Sequence, residues 1–171
     1  MAMPLQTSRL HLRPLVDADR DFYCRLYTDA AVMAHVGPPL PQDAAEAAFS
    51  RVLRQLTALP PRACYWILHA RVNGEPLGLM ALVPDRNNHT SAEVGVLLLP
   101  DAQGRGHATA AIAALADHIF SGPDLRRLWT RHAPGHAAAL GLMRRLGFVP
   151  DTGTAADTPA MVRWQLLRGG W

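Results

Sequence analysis

The sequence predicts a single domain of the α+β class, and three observations predict it. An opening strand and two helical segments are followed by three strand-like runs in succession, Ala63–Val72, Pro76–Val83 and Thr90–Leu99, which read as an antiparallel meander. Beyond them, helical and strand-like stretches alternate to the end of the chain. Between the two halves lies Glu93–Ala111, where a short apolar run with one carboxylate passes through Gly104 and Gly106 into an Ala-rich segment. That order reads as strand, glycine loop, helix.

The elements can be justified in turn. Leu10-His11-Leu12-Arg13-Pro14-Leu15 alternates as a first strand, with Leu10 and Leu12 facing the core. Asp17 is expected to cap a helix to about Tyr27, with Asp19 and Asp21 near its positive end. A short helical turn over Ala30–His35 follows, and Gly37-Pro38-Pro39-Leu40-Pro41 breaks the chain. Ala45, Ala48, Phe49, Val52, Leu53 and Leu56 recur at helical spacing, so a second helix runs from about Gln42 to Leu59, ended by Pro60-Pro61. Asn73-Gly74 predicts a tight hairpin between the first two meander strands, and Gly78 suggests a bulge. After the glycine loop, Ile112, Leu115, Ile119 and Phe120 give the buried stripe of a helix over Ala108–Phe120. Arg126–His132 reads as a strand, and Pro134–Leu146 as a helix closed by Gly147 in a left-handed cap. Phe148-Val149 begins a further strand, Asp151–Pro159 is a polar loop, and Ala160–Leu167 alternates as the last strand.

Composition narrows the function classes. At 171 residues the chain can bury roughly 70% of its unfolded surface and needs no disulfide or metal to hold it. Apolar residues make up 49%, which excludes a disordered chain, and no run reaches the ~20 apolar residues of a membrane span. Met1–Gln6 lacks the charged and apolar regions of a secretory leader, and Cys24 and Cys64 sit in apolar segments as reduced core residues. These set the expectation of a cytoplasmic protein without membrane partners. The net charge is +3, carried by scattered arginines with no lysine. Nucleic-acid binders concentrate such charge, so no nucleic-acid partner is expected. His132 and His136 are separated by Pro134-Gly135, and no spacing matches a zinc site, so no metal is expected.

The glycine loop carries the clearest chemistry. The first amides of a helix lack intrahelical acceptors and sit at its positive end, so a loop with two glycines lets a diphosphate approach the backbone. A plain Gly-x-Gly turn would read the same, and the third glycine of a dinucleotide fingerprint is missing. The surrounding letters decide between these readings. Gln103-Gly104-Arg105-Gly106-His107-Ala108 has the form Gln/Arg-x-x-Gly-x-Gly/Ala and follows a strand ending Leu98-Leu99-Pro100-Asp101. This resembles the acyl-CoA-binding motif of the GNAT superfamily of N-acetyltransferases. Arg144-Arg145-Leu146-Gly147-Phe148 resembles the family's second signature. Thr7-Ser8-Arg9-Leu10-His11-Leu12-Arg13-Pro14 resembles the opening strand of its ribosomal-protein N-terminal (alanine) acetyltransferase branch.

The resemblance covers about Leu5–Leu167 and implies a GNAT fold. That fold is a mixed, mostly antiparallel sheet of about seven strands with about four flanking helices, splayed between its fourth and fifth strands where CoA enters. It implies acetyl-CoA as cosubstrate, cradled by Gln103, Gly104, Arg105, Gly106, His107, Ala108 and Thr109. The backbone of Leu97, Leu98 and Leu99 would pair with the pantetheine arm, and Met33–Leu40 would line the acceptor side. A Glu at the position of Glu93 acts as base in some relatives, and burial would raise its pKa toward that use. The same residue could instead be a structural carboxylate bonded to a neighbouring strand or an arginine. The second motif departs from the family pattern. His136 stands where Asn is common, Ala139 where the ribosomal-protein branch has Ser, and Met143 where many members have Tyr. His136 can donate a hydrogen bond to the cofactor or a proton to the thiolate, or it can be a solvent-facing helix start.

The implied activity is acetyl transfer to a primary amine, either the α-amine of a protein, peptide or amino-acid-like acceptor or a small-molecule amine. The alternative is an acyl-CoA-binding protein of the same fold without transferase activity. A homodimer is left open. Energetics favour the α-amine: at pH 7 deprotonating it costs roughly 1 kcal/mol, against roughly 4.6 kcal/mol for a lysine side chain.

Overall fold

The computed structural model of the chain describes residues 2–152 and 161–171. Its eight strands form one sheet in the order β1-β2-β3-β4-β5-β6-β8-β7. The strands are β1 (Leu5–Gln6), β2 (Leu10–Pro14), β3 (Cys64–Ala70), β4 (Pro76–Pro84), β5 (Ser91–Leu98), β6 (Arg127–His132), β7 (Val149–Pro150) and β8 (Val162–Leu167). The helices are α1 (Arg20–Thr28), α2 (Ala30–Met33), α3 (Gln42–Thr57), α4 (His107–Ser121) and α5 (Ala137–Arg145). All neighbouring strands are antiparallel except β5 and β6, which run parallel. The expected mixed sheet is present. Its eighth strand arises because the opening segment folds back on itself, β1 pairing with β2. Of the expected polar loop and last strand, residues 153–160 lie outside the described residues.

Alternation along the strands makes two cores, one on each face. Leu10, Leu12, Trp66, Leu68, Met80, Leu82, Ala92 and Val94 point to the face covered by α4, through Ala111, Ile112 and Leu115, and by Met143 and Leu146 at the α5 end. Leu15, Ile67 and Leu79 point to the other face, where Tyr23, Cys24 and Leu26 of α1 and Ala45, Phe49 and Val52 of α3 cover them.

Several local expectations are corrected. Asp17 does not cap α1; it opens a 3₁₀ turn over Asp17–Asp19. The buried carboxylate is Asp19, which accepts from the Val16 amide (2.9 Å) and from both terminal nitrogens of Arg13 (2.8 and 2.5 Å). Burial pushes the Asp19 carboxyl up, but Arg13 and the Val16 amide outweigh it and hold it below the usual range. Asn73-Gly74 does not make a two-residue hairpin. The chain between Ala70 and Pro76 is a longer loop in which the Gly74 amide returns to the Ala70 carbonyl (2.8 Å) and Gly74 takes φ +73°. Gly78 does sit where the β3–β4 register shifts, paired with Leu68. A Cβ there would meet the Leu97 carbonyl oxygen at 2.1 Å, so glycine is what lets β4 and β5 come together.

Candidate active site

The parallel pair β5–β6 is joined at only three positions, Ser91↔Arg127, Ala92↔Leu128 and Glu93↔Trp129. Past Glu93 the strands part: β5 stays paired to β4 as far as Gly78↔Leu98, and β6 to β8 as far as His132↔Val162. The β6-facing edge of Val94–Leu98 therefore lines an opening inside the sheet. Of the three leucines expected to face pantetheine, only Leu98 turns its backbone groups to this edge; the antiparallel alternation turns those of Leu97 toward β4. The Leu99 amide is already engaged by the Leu77 carbonyl at 2.9 Å.

The strand feeds a 3₁₀ turn over Pro100–Ala102, and Gln103 Nε2 donates back to the Leu98 carbonyl at 3.1 Å. Gln103 thus shapes the loop through its side chain. Gly104 and Gly106 take φ of +69° and +77°, conformations that glycine adopts without steric cost. Gly106 is the N-cap of α4, and the first amide bonded back to it is that of Ala110. Among the described residues the amides of His107, Ala108 and Thr109 make no backbone bond, as the start of a helix requires. Arg105 is exposed on this loop. A second guanidinium comes from far away in sequence. The Thr7 hydroxyl accepts from the Arg9 and Leu10 amides (3.2 and 2.9 Å), and the turn so formed brings Arg9 Nη2 within 3.0 Å of where a Cβ on Gly106 would lie. Burial, with the charges of Arg9 and Arg105, lowers the pKa of His107, whose Nδ1 is buried without a partner among the described residues.

Glu93 occupies the last paired position before the opening. Arg131 Nε meets its Oε1 at 3.1 Å, and its side chain is 27% exposed. Burial raises its carboxyl pKa above the ordinary value, and Arg131 and Arg163 only partly offset this. Tyr65, from the face shared with α1, is pushed up to about 12 by burial and by the charges of Tyr27 and Glu93.

His136 is the N-cap of α5. Its ring stacks on His35 at 4.0 Å, so the segment after α2 touches the start of α5 directly. His132 meets it edge-on at 6.1 Å. Trp164 Nε1 donates to His132 Nε2 (3.0 Å) and the Ala133 carbonyl lies 2.8 Å from Nδ1, a pattern that puts the His132 proton on Nδ1. Burial, then His35 and His132, lower the pKa of His136. On α5 itself Ala139 is half-buried and Met143 is only 3% exposed in the core, and neither side chain carries a hydroxyl.

Among the described residues no group of His, Cys, Asp or Glu could hold a metal ion. A groove of about 340 Å³ between Gln6, His11, Arg13, His69, Arg71 and Gly74 lies at the outer strands, away from the opening. Sequence reading missed Arg9, Arg131 and His132 as parts of this region, while His35 falls within the Met33–Leu40 segment expected to line the acceptor side. Arg9 belongs to the opening motif but reaches the glycine loop only through the chain reversal at Thr7, and Arg131 and His132 are placed by strand register.

Comparison with known proteins places the chain. A family model described as an acetyltransferase (GNAT) domain matches residues 9–149. Spermidine N(1)-acetyltransferase of Escherichia coli (strain K12) is 33% identical over 76 residues, 44% of this chain. The match spans 41% of that enzyme's length, under half of the relative. Among solved structures, spermidine N-acetyltransferase from Vibrio cholerae in complex with CoA and spermine superposes with a TM-score of 0.78 at 21% identity, over 96% of this chain and 98% of that one. Ribosomal-protein-S5-alanine acetyltransferase from Vibrio fischeri gives 0.78 at 15% identity, over 99% of each chain. Both structures share the fold described above.

Proposed function

We propose that this chain, which belongs to the GNAT acetyltransferase family, moves an acetyl group from acetyl-CoA to the α-amine of a protein, peptide or amino-acid-like acceptor, directly within a ternary complex. The observation that carries this reading is the parting of β5 and β6 immediately after Glu93, with the two-glycine entry to α4 at the far end of the same strand. An opening that begins at a carboxylate and ends at free helix amides suits a thioester at one end and a diphosphate at the other.

The amides of His107, Ala108 and Thr109 bind the diphosphate, with Arg105 and Arg9 adding charge. Gly104 and Gly106 let the backbone come close, and Gln103 holds the loop to the strand end. The open edge of β5 at Val96 and Leu98 receives the pantetheine amides as an added strand would, while Leu97 and Leu99 hold that strand to β4. Glu93, directly or through water, takes the proton that the amine loses as its nitrogen bonds to the acetyl carbon. The carbon–sulfur bond breaks and the electron pair leaves with sulfur. A thiol has an ordinary pKa near ~8.5, so the thiolate leaves near neutral pH with only modest help. His136, neutral because its pKa is lowered, donates a hydrogen bond there and holds no spare proton.

Glu93→Gln tests the base. Turnover should fall by a factor on the order of 10²–10⁴ while acetyl-CoA affinity by calorimetry stays near wild type. Unchanged turnover below neutral pH would make Glu93 only the partner of Arg131. A small amine is the second acceptor reading, favoured by the local match to a spermidine enzyme. The non-catalytic reading draws on Ala139 and Met143. Free CoA released from acetyl-CoA in the presence of a panel of peptides and amines excludes it.

A further inference from the structure

We propose that Arg131 and Arg163, set over Trp129 on the acceptor side of the opening, select an amine whose own molecule carries a carboxylate near the reacting nitrogen, and reject polyamines. This rests on the transferase reading above and narrows its acceptor. The register places the residues. Glu93 pairs with Trp129, Trp129 with Gln165, and Arg131 with Arg163. Cross-strand partners and alternate residues share a face, so Glu93, Trp129, Arg131 and Arg163 stand on the same one. It is the face that α1 and α3 cover over β3 and β4.

Charge decides what that face attracts. Arg127 meets Asp151 at 2.7 Å and Arg131 meets Glu93 at 3.1 Å. Among the described residues Arg163 is the most weakly paired of these three arginines: its Nε makes no hydrogen bond, and its ion pair to the Asp151 carboxylate that Arg127 also meets is the longest, at 3.6 Å. The Arg163 guanidinium is held 4.0 Å from the centre of the Trp129 ring, with Arg131 at 5.9 Å. A guanidinium stacked on an indole is oriented before its ligand arrives, which suits the planar carboxylate.

The arrangement also acts on the base. A carboxylate on the acceptor competes with Glu93 for Arg131, and a carboxylate relieved of its cation holds a proton more tightly. An acceptor of the right charge thereby strengthens its own base. A polyamine would do the reverse: its second ammonium would meet Arg163 with like charge, or pair with Glu93 and occupy the base.

Free amino acids and peptides beginning with an acidic residue both present this chemistry. The test measures CoA release with three acceptor sets. The first is an α-amino acid against its carboxamide. The second is an Asp-initiated peptide against the Asn-initiated one, with both C-termini amidated. The third is spermidine. The expected result is a kcat/KM roughly 10- to 100-fold higher for the acid in whichever of the first two pairs reacts, and poor turnover of spermidine. In Arg163→Gln the acid-to-amide ratio should fall toward one, and in Arg163→Lys part of it should return. Equal turnover of acid and amide, or spermidine as the best acceptor, overturns the proposal while leaving the transferase reading intact. If the wild type acetylates no amine, the transferase reading fails instead. Calorimetry of an N-acetyl amino acid on the CoA-loaded protein then decides: weaker binding to Arg163→Gln supports the clamp, and equal binding overturns it.

Discussion

Arg9 illustrates how a residue of one segment comes to stand beside the glycine loop of another. The Thr7 hydroxyl fixes the turn, and the guanidinium arrives beside Gly106. Because Arg9 is exposed, its attraction for phosphate is screened. Arg9→Gln should raise KM for acetyl-CoA by only about three- to tenfold, an effect that fades with added salt. It should leave KM for S-acetylpantetheine, which lacks the diphosphate, where it was; an equal rise for both donors would place Arg9 elsewhere. Glu93 carries a different residue-scale consequence. Its folded pKa is raised, so its contribution to stability is present at acid pH and lost as pH rises through that value. Near pH 7 the Glu93→Gln variant should melt no lower than wild type by calorimetry while turning over more slowly. Both Glu93 and the Gln103–Thr109 loop were legible in the sequence, because they lie in one unbroken stretch whose letters set strand, turn and helix. The places of Arg9, Arg131 and Arg163 were not. Their neighbours are decided by which strands lie side by side and in what register, and no local pattern encodes that.

Among the elements, the meander shows where sequence reading ends. Its three strands were legible from their β-branched and apolar runs, but the Asn73-Gly74 dipeptide misled. The hairpin closes instead through a longer loop, with a register shift beside Gly78. The cause is packing: a side chain at Gly78 would strike the Leu97 carbonyl, so the end of β4 is shaped to admit β5. Gly78→Val should therefore destabilise the fold by at least about 2 kcal/mol in urea titration, and should weaken acetyl-CoA binding by shifting Leu97 and Leu98. Wild-type stability with weakened binding would mean that β5 moves freely; wild-type values for both would contradict the close approach. The first turn after β2 was misread for a related reason. Asp17 and Asp19 look alike as helix-start acids, and only the position of Arg13 on β2 makes Asp19 the buried one.

For the molecule as a whole, the sheet is two wings, β1–β5 and β6–β8–β7, joined by three residue pairs and backed by α4. The α+β class was readable from the order of strands and helices. The place where the wings separate was implied only by family resemblance, since a strand that lacks a partner along one edge has the same letters as one that has it. If CoA fills the opening, the backbone amides of Val94–Leu98 that face it should exchange hydrogen slowly in the complex and quickly in the free protein. At a ligand concentration of 100 times Kd the whole fold should gain about 2.7 kcal/mol. Equal exchange in both states would move the binding site away from this edge. The open edge has another side. Val94-Gly95-Val96-Leu97-Leu98 is an uncharged, apolar strand with one row of backbone groups left unpaired, which is the template on which chains aggregate. A cosubstrate that completed the row would also hide it, so heated samples should aggregate more slowly by light scattering with acetyl-CoA than without it, and equal rates would mean that this edge is not where chains meet.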